Sequence, residues 1–113
     1  MHELTVIDNI LRISAQVAGE NKLKRIDIVH LNIGTMQHLN EEIMRHGFDA
    51  AKEGPLWATA KLEVRRLPVI LKCNGCSEEF SPGDGKFYCP YCGDNNTRII
   101  QGMELQIKSI EGE

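Results

Sequence analysis

The chain has 113 residues, of which 42% are hydrophobic and 26% charged, and a formal net charge of −3. This is ordinary globular usage for one compact domain or a domain with a small appendage, and it excludes a disordered, collagen-like or coiled-coil chain. An acidic balance argues against a nucleic-acid partner, although Lys61, Arg65, Arg66 and Lys72 could form a small basic patch.

Residues 3–18 are expected to form the first helix. Leu4, Ile7, Ile10, Leu11 and Val17 recur at helical spacing, Val6 and Ile13 widen the apolar face, and Gly19 is the expected stop. Residues 25–33 hold Ile26, Ile28, Val29, Leu31 and Ile33 and end at Gly34, which predicts a strand. Its alternation slips between Ile28 and Val29, so either both faces are covered or the strand carries a bulge. Asn40 is a good N-cap, with Glu41 and Glu42 in the first turn and Leu39 and Met44 placed as a hydrophobic staple. The second helix should run over residues 41–52 and end at Gly54-Pro55. Ala58, Ala60, Leu62 and Val64 alternate with polar residues, predicting a half-buried strand. After Pro68 the composition shifts: residues 73–96 contain all four cysteines and several Gly, Pro, Asn and Ser. Met103, Leu105 and Ile107 then alternate with Glu104, Gln106 and Lys108 in a last strand.

The order helix, strand, helix, strand, insert, strand predicts an α/β fold. It would have a small mixed sheet of three strands with two helices, plus an inserted zinc-ribbon-like module. The expected division is an α/β domain of residues 1–66 with 99–113, and a module of residues 67–98, with residues 67–72 as the hinge.

The longest near-apolar stretch, residues 67–71, is far short of the roughly 20 residues of a membrane span. A start carrying His2, Glu3 and Asp8 without a basic segment is not expected to be a secretion signal. The expected location is therefore the cytoplasm, where cysteines are more often metal ligands than disulfides. They read Cys73-Asn74-Gly75-Cys76 and Cys89-Pro90-Tyr91-Cys92, with twelve residues between the pairs. Each two-residue gap lets a pair of sulfurs converge on one ion, with Gly75 expected to relax the turn, and two such knuckles make a tetrahedral S4 site suited to Zn2+. An iron site would use the same ligands. Four thiolates leave no position for water or substrate, so the ion would be structural.

The chain start has its own chemistry. His2 is expected to block removal of Met1, leaving a free methionine amine. That amine, the amide nitrogen of His2 and its imidazole can close adjacent small chelate rings, a nitrogen set that suits Ni2+ or Cu2+. Glu3 could add a carboxylate or offset the positive end of the helix. A histidine at position 2 is otherwise an ordinary residue of a frayed end. His30, His38 and His46 fall in a strand, a loop and a helix, and their spacing does not bring them together.

Met1-His2-Glu3-Leu4 opening a helix, Leu31-Asn32-Ile33-Gly34 ending a strand, the paired Cys-x2-Cys insert, and Gly102-Met103-Glu104-Leu105 near the end occur together. In this combination the chain resembles the HypA/HybF family of hydrogenase maturation factors over essentially its whole length. The resemblance implies a nickel metallochaperone in which Met1, His2 and Glu3 hold Ni2+ for transfer in the larger domain. Cys73, Cys76, Cys89 and Cys92 would hold structural Zn2+. It also implies as partners the GTPase HypB and the hydrogenase large subunit; the acidic balance and the short apolar runs make nucleic-acid and membrane partners not expected. In some relatives a histidine of the zinc module is thought to join the nickel site. Here no histidine follows His46, so that route is closed. The chain is expected to be a monomer or a dimer that exchanges its last strand. The alternative is a zinc-ribbon module for protein interaction or nucleic-acid binding with an incidental His2. An enzyme is not expected, because no phosphate loop, nucleophile–base pair or open metal site is recognisable.

Overall fold

The computed structural model describes residues 2–83 and 85–113. In chain order the elements are α1 (Glu3–Glu20), β1 (Ile26–Gly34), α2 (Glu41–Ala51), a 3-10 turn (Pro55–Trp57), β2 (Lys61–Leu67), β3 (Ile70–Cys73), β4 (Glu79–Phe80), β5 (Thr97–Gln101) and β6 (Leu105–Gly112). They make two three-stranded sheets, ordered β2-β1-β6 and β4-β3-β5. The chain divides into two compact units. One comprises Met1–Asn32, His38–Arg65 and Gln106–Glu113, the other Ile33–Gln37 and Arg66–Leu105. Among the described residues, no helix is long and apolar enough to cross a membrane.

In the first unit, α1 buries Val6, Ile7, Ile10, Ser14 and Ala18. The inward stripe is thus rotated from the one expected, and Leu4 and Ile13 are only partly covered, at 49% and 40% exposure. The helix also runs past Gly19. Its end is closed instead by Asn21, whose side chain donates to the Val17 carbonyl (2.8 Å), and by the Leu23 amide, which returns to the Ala18 carbonyl (2.8 Å). Those bonds satisfy orphan carbonyls of the last turn and place the left-handed residue at Lys22 (φ +57°).

Asn40 caps α2 by accepting from the Ile43 amide at 3.1 Å. Met44 and Phe48 are buried, and Phe48 meets Trp57 edge to face at 5.9 Å. Each such side chain contributes roughly 1.5–3 kcal/mol when fully removed from water. The strand expected from Ala58 starts only at Lys61, because the turn of Pro55–Trp57 extends through Ala58 and the Ala60 amide still bonds the Trp57 carbonyl (3.0 Å). Arg45 of α2 donates to the Leu62 carbonyl of β2, and Lys52, directly after the helix, donates to the Ala60 carbonyl directly before the strand. In β1 the buried positions are Ile26, Val29, Leu31, Ile33 and Gly34, so the inward face changes phase between Ile26 and Val29. Arg25 and Glu113 exchange both backbone hydrogen bonds (3.0 and 3.1 Å), the signature of an antiparallel pair.

The second unit has a sheet of its own. β3 lies between β4 and β5, antiparallel to both, with Leu71 opposite Phe80 on one side and Ile99 on the other. Its core is Leu71, Cys73, Phe80 and Cys89, with Val69 packed against it. Residues 70–72, expected to belong to a hinge, are therefore strand. Gly34 is required by close backbone approach: a Cβ there would stand 1.9 Å from the Gly102 carbonyl oxygen. Gly102 has φ +122°, which favours glycine. The Gly34 amide bonds the Glu104 carbonyl (2.8 Å) and the Met36 amide bonds the Gly102 carbonyl (2.9 Å).

Candidate metal centre

The cysteine site is built from two similar backbone turns. In the first, the Cys73 carbonyl accepts from the Ser77 amide (3.0 Å), and Ser77 has φ +64°. In the second, the Cys89 carbonyl accepts from the Gly93 amide (2.8 Å), and Gly93 has φ +78°. The turned backbone aims amides at sulfur. Gly75 and Cys76 donate to Cys73 Sγ (3.3 and 3.4 Å), and Tyr91 donates to Cys89 Sγ (3.4 Å). Gly75 is not among the residues with positive φ. A Cβ there would instead stand 2.8 Å from an Asp94 carboxylate oxygen. That carboxylate also accepts from the Asn96 amide (3.0 Å), and the Asn74 amide bonds the Asn96 carbonyl (2.9 Å).

These turns bring the four sulfurs within 4.8 Å of one another. Across the turns, Cys73 Sγ lies 3.5 Å from Cys92 Sγ and Cys76 Sγ lies 3.6 Å from Cys89 Sγ. Sulfurs at about 2.3 Å from a shared zinc in a regular tetrahedron stand about 3.8 Å apart. The cluster therefore fits a structural zinc site. Its charge also calls for a cation. At Cys89 burial raises the thiol pKa, but the amides of Cys92 and Tyr91 and the neighbouring sulfurs outweigh burial and bring it down to about 7. At Cys92 the backbone hydrogen bond at Asp94 favours the thiolate, but sulfur neighbours led by Cys73, together with burial, push the thiol up to about 12. Four thiolates this close are stable together only around a positive ion.

At the chain start, Met1 lies outside the described residues, so the structure places only His2 and Glu3 of the expected nickel set. His2 is exposed and serves as N-cap of α1 in an extended conformation, its Nδ1 accepting from the Leu4 amide at 3.3 Å. Glu3 is the first helical residue and half-buried. Of the other histidines, His30 pairs with Glu111, whereas His38 and His46 are exposed. Among the described residues, the four cysteines form the one group of three or more His, Cys, Asp or Glu side chains placed to share an ion. Sequence reasoning missed the amides that hold the sulfurs and the imidazole cap. Gly93, directly after Cys92, was the available sign of the left-handed residue closing the second turn.

A two-unit α/β architecture with a closed tetrathiolate site and a histidine at the head of its first helix defines a small metal-handling protein. A family model described as hydrogenase/urease nickel incorporation, metallochaperone, HypA matches residues 1–112. The chain belongs to this family, which is one of metallochaperones and not of enzymes. The hydrogenase maturation factor HypA of Moorella thermoacetica is 37% identical over 113 residues, covering all of both chains. That of Aquifex aeolicus is 30% identical, covering all of this chain and 98% of the relative. The solution structure of the Ni metallochaperone HypA from Helicobacter pylori is similar with a TM-score of 0.71 and 26% identity, over 99% of this chain and 97% of the other. A second HypA solution structure gives 0.78 and 27%, over 100% and 97%.

Proposed function

We propose that the chain carries Ni2+ at its N-terminus and delivers it to [NiFe]-hydrogenase during maturation in the cytoplasm. The ligands would be the Met1 amine and the amide and imidazole of His2, with Glu3 in or near the coordination sphere. The observation that carries this reading is the position of His2: an exposed imidazole at the cap of α1, with Nδ1 against the Leu4 amide. A small ring closes from the amine to the His2 amide nitrogen, and a slightly larger one from that nitrogen through the side chain to Nδ1. Chelation releases the amide proton to solvent, and the resulting negative nitrogen offsets the positive helix end that otherwise repels a cation.

A site at a chain end can dissociate one ligand at a time, which suits an ion that must be handed on. The sulfur cage has the opposite character. Cys73, Cys76, Cys89 and Cys92 would hold Zn2+ permanently, and that ion, when bound, shapes the second unit. The transfer partners on this reading are a nickel-handling GTPase of the HypB kind and the hydrogenase large subunit. Copper would bind the nitrogen set at least as well as nickel, so selectivity rests on ion supply and on docking. The test is to titrate Ni2+ into the untagged chain and into His2→Ala. The reading requires that His2→Ala lose high-affinity Ni2+ binding while its zinc content stays unchanged. Equal nickel binding by both chains overturns it.

A further inference from the structure

We propose that helix capping and nickel capture compete for a single atom, Nδ1 of His2, so that loading the chain start frees the Leu4 amide and loosens the first turn of α1. This rests on the nickel reading above. His2 is extended (φ −78°, ψ 142°), its carbonyl accepts from the Val6 amide at 3.1 Å, and its Nδ1 accepts from the Leu4 amide at 3.3 Å. The first amides of a helix have no intrahelical partner, and here an imidazole nitrogen takes one of them, where Ser, Thr, Asp or Asn is the usual residue.

An imidazole nitrogen that accepts a hydrogen bond does so with its only lone pair, and that lone pair is what a metal ion takes. The chelate must use the same nitrogen. A ring that starts at the His2 amide nitrogen and runs through Cα, Cβ and Cγ reaches Nδ1 first, and the lone pair of Nε2 points away from the backbone. The two uses therefore exclude each other at Nδ1. Both uses need the lone pair of Nδ1, which the Leu4 amide occupies in the capped state. Because the cap must be surrendered on loading, it weakens retention.

The released turn has a neighbour. Leu4 lies over Gly47 of α2: a Cβ built on Gly47 would stand 2.8 Å from Leu4 Cδ2. Leu4 is 49% exposed and Ile43, one turn before Gly47, is 45% exposed. Loosening the first turn of α1 moves the contact between these helices at a half-exposed apolar spot beside the ion.

The test uses untagged, full-length chains and nickel chloride. Leu4→Pro removes the amide proton that His2 accepts, and proline is tolerated in the first turn of a helix. Leu4→Ala removes the same side chain but keeps the amide. Leu4→Pro should bind Ni2+ about fivefold more tightly than Leu4→Ala, the factor corresponding to one N-cap interaction. In the unaltered chain, the Leu4 amide proton should exchange with water faster when nickel is bound, while that of Ile10 should not change. That second measurement keeps the test decisive if Leu4→Pro does not fold. Equal affinities of two folded variants, or unchanged Leu4 exchange on loading, overturns the competition and leaves the nickel reading standing. Absence of nickel binding by the unaltered chain overturns both.

Discussion

The same substitution at two glycines should have opposite signs. At Gly34 a Cβ would sit 1.9 Å from the Gly102 carbonyl oxygen, 2.0 Å from its carbon and 2.6 Å from the Met103 nitrogen. A carbon and an oxygen ordinarily approach to about 3.3 Å, so the two backbones must separate by about 1.4 Å. That separation stretches the bonds from the Gly34 amide to the Glu104 carbonyl and from the Met36 amide to the Gly102 carbonyl. Losing two such bonds costs about 2 kcal/mol net, and forcing a methyl into packed surroundings adds about 1–3 kcal/mol. Gly34→Ala should therefore destabilise the protein by about 3 kcal/mol or more. At Gly19, inside α1, nothing lies within 4 Å of the same position, so Gly19→Ala should stabilise by about 0.5–1 kcal/mol through the lower entropy of its unfolded chain. Urea denaturation followed by circular dichroism measures both, and hydrogen exchange at Met36 localises the first effect. A Gly34→Ala protein within 1 kcal/mol of the parent would refute the reasoning, as would a Gly19→Ala protein less stable than the parent.

Three further outcomes follow from named contacts. Ser14 is 0% exposed and its Oγ has no hydrogen-bond partner among the described residues, so Ser14→Ala should raise stability by about 1 kcal/mol in the same denaturation assay. Asn40→Ala removes the acceptor for the Ile43 amide and should cost about 1 kcal/mol, read as a lower urea midpoint. Stripping the ion with a strong chelator should unfold the second unit, because its core holds little beyond Leu71, Phe80 and two of the cysteines themselves. Amide protection at Lys72 and Cys73 should then vanish, while that at Ile10 and Phe48 persists.

Much of this was legible from residues alone, and the exceptions have physical causes. Both helices announced themselves through periodic apolar residues and the Asn40 cap, and the cysteine spacing identified the sulfur cluster. The inward stripe of α1 was misread because its centre is Ser14, a polar residue that no hydrophobic pattern picks out. Ala58 and Ala60 continue the alternation of β2 into what is a turn, since alanine fits either conformation and Pro55 starts a 3-10 turn before it. The second sheet was invisible for a different reason. β4 has two residues, and Ile99 and Ile100 of β5 are both about 40% exposed, so neither strand shows a period of two. Gly34 and Gly102 stood out as motif letters, but the reason for them is a backbone-to-backbone approach between distant segments, which only the fold reveals. The imidazole cap of α1 was hidden because histidine is not a usual capping residue.

The central claim is that an unblocked first amine acts with the neighbouring imidazole to hold nickel. Its most direct test is calorimetric titration of Ni2+ into the untagged chain and into a chain extended by Gly-Ser before Met1, with zinc content measured in parallel. The extension leaves every side chain in place and moves only the amine. One nickel per untagged chain and none bound tightly by the extended chain, with equal zinc in both, is the result the account predicts; the same nickel affinity in both chains would contradict it.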